Sequence, residues 1–490
     1  MNYRMIAKIL AKILVMEVAL MVPGAVLEAV DHNPVGVRSY FLSWAIILFA
    51  ALLLYLIGRK ARHGFYAREG LVTTGLTWLL MSLLGCLPFY ISREIPRYID
   101  CVFEMVSGFT TTGSSILNDV EAMSRGMLFW RSFSHWVGGM GVLVFLMAVV
   151  PLAKENEGYT LHILRAESPG PIVGKLVPRM KQTASILYIL YIALSIIDYV
   201  CLRIAGMPWF DAMCIMFGTA GTGGFGVLNS SMASYSHAAQ TVTTVFMFLF
   251  GANFSVYYLL LLHRVKSVWV DEELHLYLAV IGISIALVTL NIYALYGTVR
   301  ESLHQAAFQV ATIMSTSGFA TTDFDQWPEF SKTILLILMI GGACAGSTGG
   351  GMKMSRLLML FKTLRRNIHV NLHPHEVERV RVNERPVEEI ILRNLNGYLT
   401  AYGLIVVLSM LIISLDGFSI ETNLSAVLAT FNNIGPGLGA VGPVHNFSRY
   451  SVLSKIVLIF NMLAGRLEIY PILILFSRTT WRRHCAVFIF

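Results

Sequence analysis

Four short glycine-containing stretches of the sequence fall into one register. They are FEMVSGFTTTGSS (103–115), MCIMFGTAGTGGF (213–225), FQVATIMSTSGFA (308–320) and SAVLATFNNIGPG (425–437), and their shared glycines are Gly113, Gly223, Gly318 and Gly435. Glycine adopts positive φ without steric penalty, which lets successive carbonyl groups face the same way. Such oxygens, with nearby threonine hydroxyls, replace the water shell of a dehydrated cation. The pattern therefore predicts a cation site built mainly from backbone oxygens.

Each stretch lies between two long apolar segments. The preceding segments are 71–90, 184–205, 276–295 and 392–415, and the following ones are 127–152, 241–262, 331–360 and 452–476. The roughly ten residues before each glycine are too few to span a bilayer and suit a re-entrant half-helix. The C-terminal end of a helix carries partial negative charge, which favours a cation. Polar residues suited to helix N-termini open the four half-helices, at Asp100, Asp211, Glu301 and Asn423.

The composition is that of a membrane protein. Of 490 residues, 56% are hydrophobic and 13% charged, whereas a soluble domain carries about 25% charged residues. Segments such as 41–58 reach the roughly 20 residues that cross a bilayer as a helix. Segment 5–30 is long for a signal peptide and lacks a clear cleavage pattern, which favours an uncleaved first helix.

These observations predict an all-α polytopic membrane protein. Its core is four parallel helix–pore-loop–helix repeats around a pseudo-fourfold pore, preceded by two extra N-terminal transmembrane helices. The predicted divisions are residues 1–66 for the extra helices, then 67–180, 181–270, 271–388 and 389–490 for repeats one to four, the third repeat including a glycine-rich intramembrane gate loop.

Charge predicts the orientation in the membrane. The chain carries a net charge of +8, and its basic residues gather in alternate loops near residues 59–68, 154–181, 264–266, 365–385 and 482–483. Cytoplasmic loops carry such an excess, so both termini are expected in the cytoplasm. The six cysteines are scattered without a CxxC pair, which favours small buried hydrophobic side chains.

A second glycine-rich stretch interrupts the third repeat. GGACAGSTGGG (341–351) holds six glycines in eleven positions, and each glycine disfavours helix by roughly 1 kcal/mol relative to alanine. Non-helical backbone at membrane depth must lie against protein or water. We expect an intramembrane gate below the polar loops, with close helix packing through small residues as the alternative.

Two basic residues lie next to or within apolar segments. Lys353 follows the glycine-rich stretch and either reaches cytoplasmic water or takes part in the gate. Arg466 lies mid-segment, where an arginine costs at least about 2.5 kcal/mol, so it should face a polar interior. It would oppose passage of a cation from there, unless it serves only in structural pairing.

Other charged groups allow two interpretations each. Asp119, Glu121, Asp323 and Asp325 follow polar loops and either concentrate cations at an outer mouth or are ordinary solvated charges. The histidines of HVNLHPHEVE (369–378) allow a metal site, but a docking surface for a cytoplasmic partner is the stronger interpretation.

The sequence resembles the Trk/Ktr/HKT superfamily of potassium transporters, and within it the bacterial TrkH/TrkG transmembrane subunits. The motifs that carry the resemblance run from residue 107 to 471: SGFTTTGSS, HWVGGMGVLVFLMAVVP, GTAGTGGF, STSGFATTDF, GGACAGSTGGGMKMSR, FNNIGPGLG and GRLEIYP. The resemblance implies a K⁺-passing pore in each chain of a homodimer in the cell (inner) membrane. It also implies a cytoplasmic TrkA-like subunit that binds NAD(H) and adenine nucleotides.

The resemblance assigns residues as well. The implied K⁺ selectivity filter comprises Thr111, Thr112, Gly113, Gly221, Thr222, Gly223, Thr316, Ser317, Gly318, Asn433, Ile434 and Gly435. The implied gate comprises Gly346, Ser347, Thr348, Gly349, Gly350, Gly351, Lys353 and Arg466. Pro436 follows the fourth filter glycine, where the other loops have Ser114, Gly224 and Phe319. Proline lacks an N–H and fixes its own φ, so the fourfold symmetry should be imperfect.

The sequence allows several functions. K⁺ translocation is the leading one, with Na⁺ permeation or H⁺- or Na⁺-coupled K⁺ symport as alternatives in the same class. A polytopic membrane enzyme would need Asp, Glu, His or Cys clusters at the membrane boundary, where this sequence has glycine and threonine, so we expect no enzyme. The chain has no GxGxxG motif after a strand and no phosphate-binding loop, so any nucleotide should bind the partner; nucleic acid is not an expected ligand.

Overall fold

The computed structural model describes residues 1–61, 66–141, 180–376 and 378–481, and this part of the chain is almost entirely helical. The α-helices, numbered in chain order, are α1 (Tyr3–Val30), α2 (Pro34–Gly58), α3 (Ala67–Gly85), α4 (Leu87–Ser92), α5 (Tyr98–Phe109), α6 (Arg125–Gly139), α7 (Met180–Ile204), α8 (Trp209–Gly221), α9 (His237–Gly251), α10 (Phe254–Leu261), α11 (Val265–Trp269), α12 (Glu272–Tyr296), α13 (Val299–Met314), α14 (Glu329–Gly341), α15 (Met354–Leu372), α16 (Glu389–Ile413), α17 (Ile420–Phe431), α18 (Val452–Arg466), α19 (Tyr470–Phe476) and α20 (Arg478–Trp481).

Short elements complete the described chain. The 3₁₀ segments are Phe324–Gln326, Ser414–Asp416, Gly439–Val441 and Phe447–Arg449. A two-stranded antiparallel hairpin follows α15, with β1 (Arg381–Val382) paired to β2 (Arg385–Pro386).

Five stretches of described helix are long and apolar enough to cross a membrane, or six if a bent pair counts as one span. They are Pro34–Gly58, Ala67–Ser92, Ser185–Ile204, Glu272–Tyr296 and Glu389–Asp416, with α9 and α10, bent by 90°, as the pair. The multi-span membrane architecture predicted from composition is therefore confirmed.

One order of elements occurs four times. A long helix leads to a short helix, a loop and a further helix: α3–α4, α5 and α6; α7, α8 and α9; α12, α13 and α14; α16, α17 and α18. The short helices have 12, 13, 16 and 12 residues, fewer than the roughly 20 needed to span a bilayer. They are the predicted half-helices.

Acidic residues occupy the first turn of each half-helix, where they complement the positive end of the helix dipole. Asp100, Asp211 and Glu301 do so as predicted. In α17 this acid is Glu421, and Ser419 caps the helix. Asn423 lies further inside and its side chain donates to Phe418 O at 3.1 Å, so its predicted place at the helix start was wrong by about one turn.

The last helix of the second, third and fourth units is broken, although a break was predicted in the third unit only. α6, α9, α14 and α18 end at Gly139, Gly251, Gly341 and Arg466. The continuous helices predicted over 241–262 and 452–476 were therefore wrong. In the first unit, residues 142–152 of the predicted segment 127–152 lie outside the described part of the chain. A methyl group on Gly138 or Gly465 would overlap the carbonyl oxygen of Phe109 or Phe431, so these glycines let the half-helix ends approach closely.

The bundle is polar at its centre and apolar outside. Thr110, Thr111 and Thr112 are fully buried, while side chains such as Leu404 and Val407 on α16 are exposed. Buried apolar side chains such as Phe103 and Trp130 pack around this polar centre, and the apolar exterior suits surrounding lipid.

A partly buried ion pair joins the first and fourth units. Lys455 Nζ lies 2.6 Å from Asp100 Oδ1, and the two side chains are 3% and 15% exposed. We predict that Lys455→Met destabilises the fold by roughly 1–3 kcal/mol, between the values for exposed and fully buried pairs, because it leaves a partly buried carboxylate without its partner. Thermal unfolding of the purified protein in detergent measures this.

The double variant Asp100→Asn with Lys455→Met is the control for this prediction. It removes both charges and should recover most of the lost stability. Equal destabilisation in the single and double variants would show that no charge coupling exists.

Candidate cation pathway

Four polar loops, one after each of α5, α8, α13 and α17, meet at the centre of the bundle. Gly113, Gly224, Gly318 and Gly435 all line one cavity of about 180 Å³. The sequence separates these residues by up to 322 positions, so only the repeated fold brings them together.

The loops form a closed ring. A methyl group on Gly113 would overlap the carbonyl oxygen of Gly223, one on Gly224 that of Ser317, and one on Gly318 that of Ile434. The ring closes where a methyl group on Gly435 would lie 3.0 Å from Thr112 O. Each loop thus places its glycine against a backbone oxygen of the next loop, and a side chain at Gly113, Gly224 or Gly318 would force that oxygen to shift.

Backbone conformation alternates along each loop. The residue two positions before the ring glycine has a positive φ in all four: Thr111 (55°), Thr222 (55°), Thr316 (62°) and Asn433 (55°). The ring glycines are also positive: Gly113 (82°), Gly224 (77°), Gly318 (82°) and Gly435 (103°). Positive φ is costly for residues other than glycine, and such strain persists only where the surrounding structure imposes it.

A backbone hydrogen bond that recurs within each loop shows which residues of the four loops are equivalent. The N–H between the two positive-φ residues donates to the carbonyl five residues earlier, over 2.8–2.9 Å: Thr112 to Ser107, Gly223 to Gly218, Ser317 to Thr312 and Ile434 to Ala429. The same hydrogen-bond pattern in each loop makes Thr222 the equivalent of Thr111 and Gly224 the equivalent of Gly113.

The predicted register of the second loop was therefore wrong by one residue. Gly221 still belongs to helix α8, and Thr222 ends that helix in a left-handed conformation. Two adjacent glycines, Gly223 and Gly224, satisfy a glycine-based alignment equally well, which is why sequence alone chose the wrong one. The structure gives Thr222, Gly223 and Gly224 as the equivalents of Thr111, Thr112 and Gly113.

The side chains of the positive-φ residues are used in different ways. Thr222 Oγ1 donates to Gly221 O at 2.6 Å, and Asn433 Nδ2 donates to Thr112 Oγ1 at 2.9 Å. Thr111 Oγ1 is buried without a hydrogen-bond partner among the described residues, so its lone pairs remain available to a ligand.

Outside the ring, hydrogen bonds join neighbouring loops. Asn229 Nδ2 donates to Asp119 Oδ1 at 2.8 Å, and Glu121 Oε1 accepts from Asn229 N–H at 2.9 Å. Asp325 Oδ1 accepts from Gly439 N–H at 3.0 Å. These acids, which the sequence left between cation attraction and simple solvation, are acceptors that hold the outer loops together, and Asp323 accepts from Asp325 N–H at the start of a 3₁₀ segment.

The glycine-rich loop between α14 and α15 lies against the ends of two half-helices. Gly350 N–H donates to Thr316 Oγ1 at 2.6 Å. A methyl group on Gly350 would overlap Asn432 O, and one on Gly349 would lie 2.8 Å from Ser315 O. The loop therefore contacts the polar loops of the third and fourth units directly.

Arg466 and Lys353 both bind this loop. Arg466 Nη1 donates to Thr348 O at 2.8 Å, and Nη2 donates to Gly138 O and Gly139 O at 2.5 and 2.7 Å. Lys353 is buried, with Nζ donating to Gly349 O, so the solvent-exposed interpretation was wrong. Arg466 thus bridges the glycine-rich loop to the first unit.

Two acids near the loop were not predicted as site residues. Glu273 Oε1 accepts from Ala345 N–H at 2.6 Å and from Ser355 N–H at 3.0 Å, which ties both ends of the loop to α12. Glu468 pairs with Arg356. An acidic residue just before the apolar segment 276–295 was the sequence signal for Glu273.

The first histidine of the histidine-rich stretch lies close to two carboxylates. His369 lies 3.4 Å from Glu376 and 3.1 Å from Glu378. Among the described residues no group of three or more His, Cys, Asp or Glu side chains is placed to hold a metal ion. The cysteines in the same ranges are free thiols, at Cys86, Cys101, Cys201, Cys214 and Cys344.

The revised register leads to a stability prediction. Gly224→Ala forces a methyl group into Ser317 O at a positive φ, so it should lower the unfolding temperature of the purified protein markedly. Gly226→Ala is the matched control, because a methyl group there would lie 3.5 Å from Ser231 Cα, an ordinary van der Waals contact. Equal melting of the two variants in a fluorescence-based thermal assay would contradict the register.

Comparison with known proteins places the chain in a family. The family model described as "TrkH: Cation transport protein" matches residues 38–482. The Trk system potassium uptake protein TrkH of Salmonella typhimurium is 33% identical, over 98% of this chain and 100% of that protein. Escherichia coli TrkG is 33% identical, over 86% of this chain and 87% of that protein.

A solved structure agrees with the sequence matches. The crystal structure of the potassium transporter TrkH from Vibrio parahaemolyticus superposes with a TM-score of 0.87, at 31% identity, over 98% of this chain and 100% of that chain. The resemblance predicted from the motifs and the expectation of a transporter rather than an enzyme are both confirmed. The chain belongs to the TrkH family of cation transport proteins.

Proposed function

We propose that this protein moves K⁺ across the cell (inner) membrane along the axis of the four polar loops. The observation that carries the proposal is the closed ring, in which each loop abuts a backbone oxygen of the next. The relatives are named potassium uptake proteins, which favours K⁺ as the ion. The proposed filter comprises Thr111, Thr112, Gly113, Thr222, Gly223, Gly224, Thr316, Ser317, Gly318, Asn433, Ile434 and Gly435.

The ring suits a dehydrated alkali ion physically. Carbonyl oxygens replace the water shell of the ion, and the four half-helices present their negative C-terminal ends toward the same centre. The Thr111 hydroxyl is a further buried oxygen, and it has no hydrogen-bond partner among the described residues. The fourth loop differs most, with Gly435 at 103° and Pro436 after it, and this asymmetry keeps Na⁺ permeation as the runner-up.

The glycine-rich loop is the proposed gate. Gly346, Ser347, Thr348, Gly349, Gly350 and Gly351 form its central part, and Lys353 and Arg466 hold it by hydrogen bonds to its carbonyl groups. Because the loop packs directly against Ser315–Thr316 and Asn432–Asn433, ions leaving the ring would meet it first. Opening requires Arg466 to release Thr348 or the carbonyl groups of Gly138 and Gly139.

The remaining assignments follow the family resemblance. We propose a homodimer with both termini in the cytoplasm, controlled by a cytoplasmic TrkA-like subunit that binds the nucleotide. The four repeat divisions at residues 67, 181, 271 and 389 belong to the same proposal. H⁺ or Na⁺ coupling of K⁺ uptake is the alternative mechanism for the same pathway.

Ion flux into liposomes tests the proposed function. We expect purified protein to admit ⁸⁶Rb⁺ faster than ²²Na⁺, because backbone oxygens on a rigid ring favour the larger ion. Gly318→Ser, which adds a side chain toward Ile434 O, should reduce the Rb⁺ rate and the preference together. Measurement with and without an imposed proton gradient separates conduction from coupled transport.

The control for this experiment is Gly403→Ala, since a methyl group there would meet no atom within 4 Å beyond the adjacent residues and the backbone of its own helix. It should keep the wild-type rate. Absence of Rb⁺ flux in wild-type protein, or a larger Na⁺ flux, would contradict the proposal.

The gate generates a second flux prediction. Gly350→Ala pushes the loop away from Asn432 O, so it should raise Rb⁺ flux in the absence of any partner subunit. Arg466→Ala, which removes the bridge between Thr348 and the first unit, should act in the same direction. Flux equal to wild type in both variants, with Gly403→Ala again as control, would rule out the loop as a gate.

A further inference from the structure

A buried ion pair lies immediately behind the first two polar loops. Glu104 on α5 is fully buried and Arg131 on α6 is 3% exposed, and Arg131 Nε donates to Glu104 Oε1 at 2.6 Å. Burying two charges costs several kcal/mol for each ion, and apolar pairs of similar volume are often as stable. The pair must therefore be understood from its other contacts.

Glu104 holds the chain that leaves the first loop. Its carboxylate accepts from Ser115 Oγ at 2.9 Å and from Ile116 N–H at 2.9 Å. These residues follow Gly113 by two and three positions. The carboxylate of Glu104 therefore fixes where the first ring segment ends.

Arg131 holds the chain that leaves the second loop. Its Nη1 donates to Gly226 O at 3.1 Å, and its guanidinium carbon lies 3.5 Å from the centre of the Phe225 ring. Phe225 follows Gly224 directly and is buried. One arginine thus connects the exits of both loops, since its other contact is Glu104.

His135 completes the connection one helical turn further along α6. Its Nδ1 lies 2.7 Å from Gly108 O, and its Nε2 lies 3.3 Å from the N–H of Phe225. The backbone N–H can only donate, which assigns the acceptor role to Nε2 and the proton to Nδ1. The neutral ring therefore joins the end of the first half-helix to the second loop, and a methyl group on Gly223 would overlap it.

We infer that Glu104, Arg131 and His135 are positioning residues, the α6 clamp, which set the spacing between the first and second loops and thereby the preference for K⁺ over Na⁺. The inference rests on the proposed function of the ring as a filter. Na⁺ is smaller than K⁺, so a ring that relaxes inward or becomes flexible loses its preference first. The clamp contacts no ring oxygen through its charges and acts through Ile116, Phe225 and Gly226.

The clamp is specific to one side of the ring among the described residues. The position of Glu104 is occupied by Gln309 in the third unit and Ala426 in the fourth. Gln309 makes a neutral contact to Thr321 Oγ1 at 3.3 Å, and in the fourth unit Ser425 Oγ accepts from Leu438 N–H at 2.8 Å. The strongest restraint on loop spacing is therefore placed between the first and second loops.

Selectivity of Glu104→Gln in proteoliposomes tests the clamp. Glutamine keeps the shape of glutamate but has one acceptor oxygen and one NH₂ donor group, so it cannot accept from Arg131 with one terminal atom and from Ile116 with the other. The charge-assisted bonds are therefore lost. We expect the Rb⁺ to Na⁺ flux ratio to fall by roughly tenfold, with Rb⁺ flux retained. Asp100→Asn is the matched control, because Asp100 lies on the same half-helix and binds Lys455 at its outer end.

The control should lose thermal stability without a change in flux ratio. Arg131→Lys is a second variant that keeps the charge but lacks the fork needed to reach Glu104 and Gly226 together, and it should lower the ratio in the same way. An unchanged ratio in either folded variant, or an equal fall in Asp100→Asn, would overturn the clamp. A wild-type protein without preference for Rb⁺ would instead overturn the proposed function.

Discussion

The structure depends on one constraint: backbone polar groups at membrane depth need partners. An irregular loop exposed to lipid would leave N–H and C=O groups unpaired at several kcal/mol each. This fold meets the constraint by placing four such loops around one centre, where each supports the next. The half-helix ends, the glycines at the ring and the helix ends at Gly139, Gly251, Gly341 and Arg466 all serve that close approach.

The same crowding links the ring to the glycine-rich loop. Thr316 has a left-handed backbone in the ring and also accepts from Gly350 N–H, while Gly138 packs on Phe109 and gives its carbonyl group to Arg466. A movement of the proposed gate therefore changes contacts of residues that shape the proposed filter. Symmetry is only approximate, because charged support is concentrated behind the first two loops and Pro436 alters the fourth.

Much of this architecture was predictable from sequence, because both membrane crossing and loop repetition leave direct patterns. The apolar segments, the half-helices and three of the four ring glycines followed from segment length and the recurrence of glycine. The second loop was misaligned because Gly223 and Gly224 are adjacent, and only hydrogen bonds distinguish them. Glu104, Arg131, His135 and Glu273 were missed because their partners lie far along the chain, and buried polar side chains reveal their role only through those contacts.

The central claim is that a K⁺-like ion binds within the ring. Crystals grown in Rb⁺ or Tl⁺, with anomalous diffraction recorded at the absorption edge of the ion, measure this directly. The account predicts anomalous density on the axis between Gly113, Gly224, Gly318 and Gly435, at the level of their neighbouring carbonyl oxygens. Density confined to other parts of the protein, with the ring unoccupied at saturating ion, would contradict it.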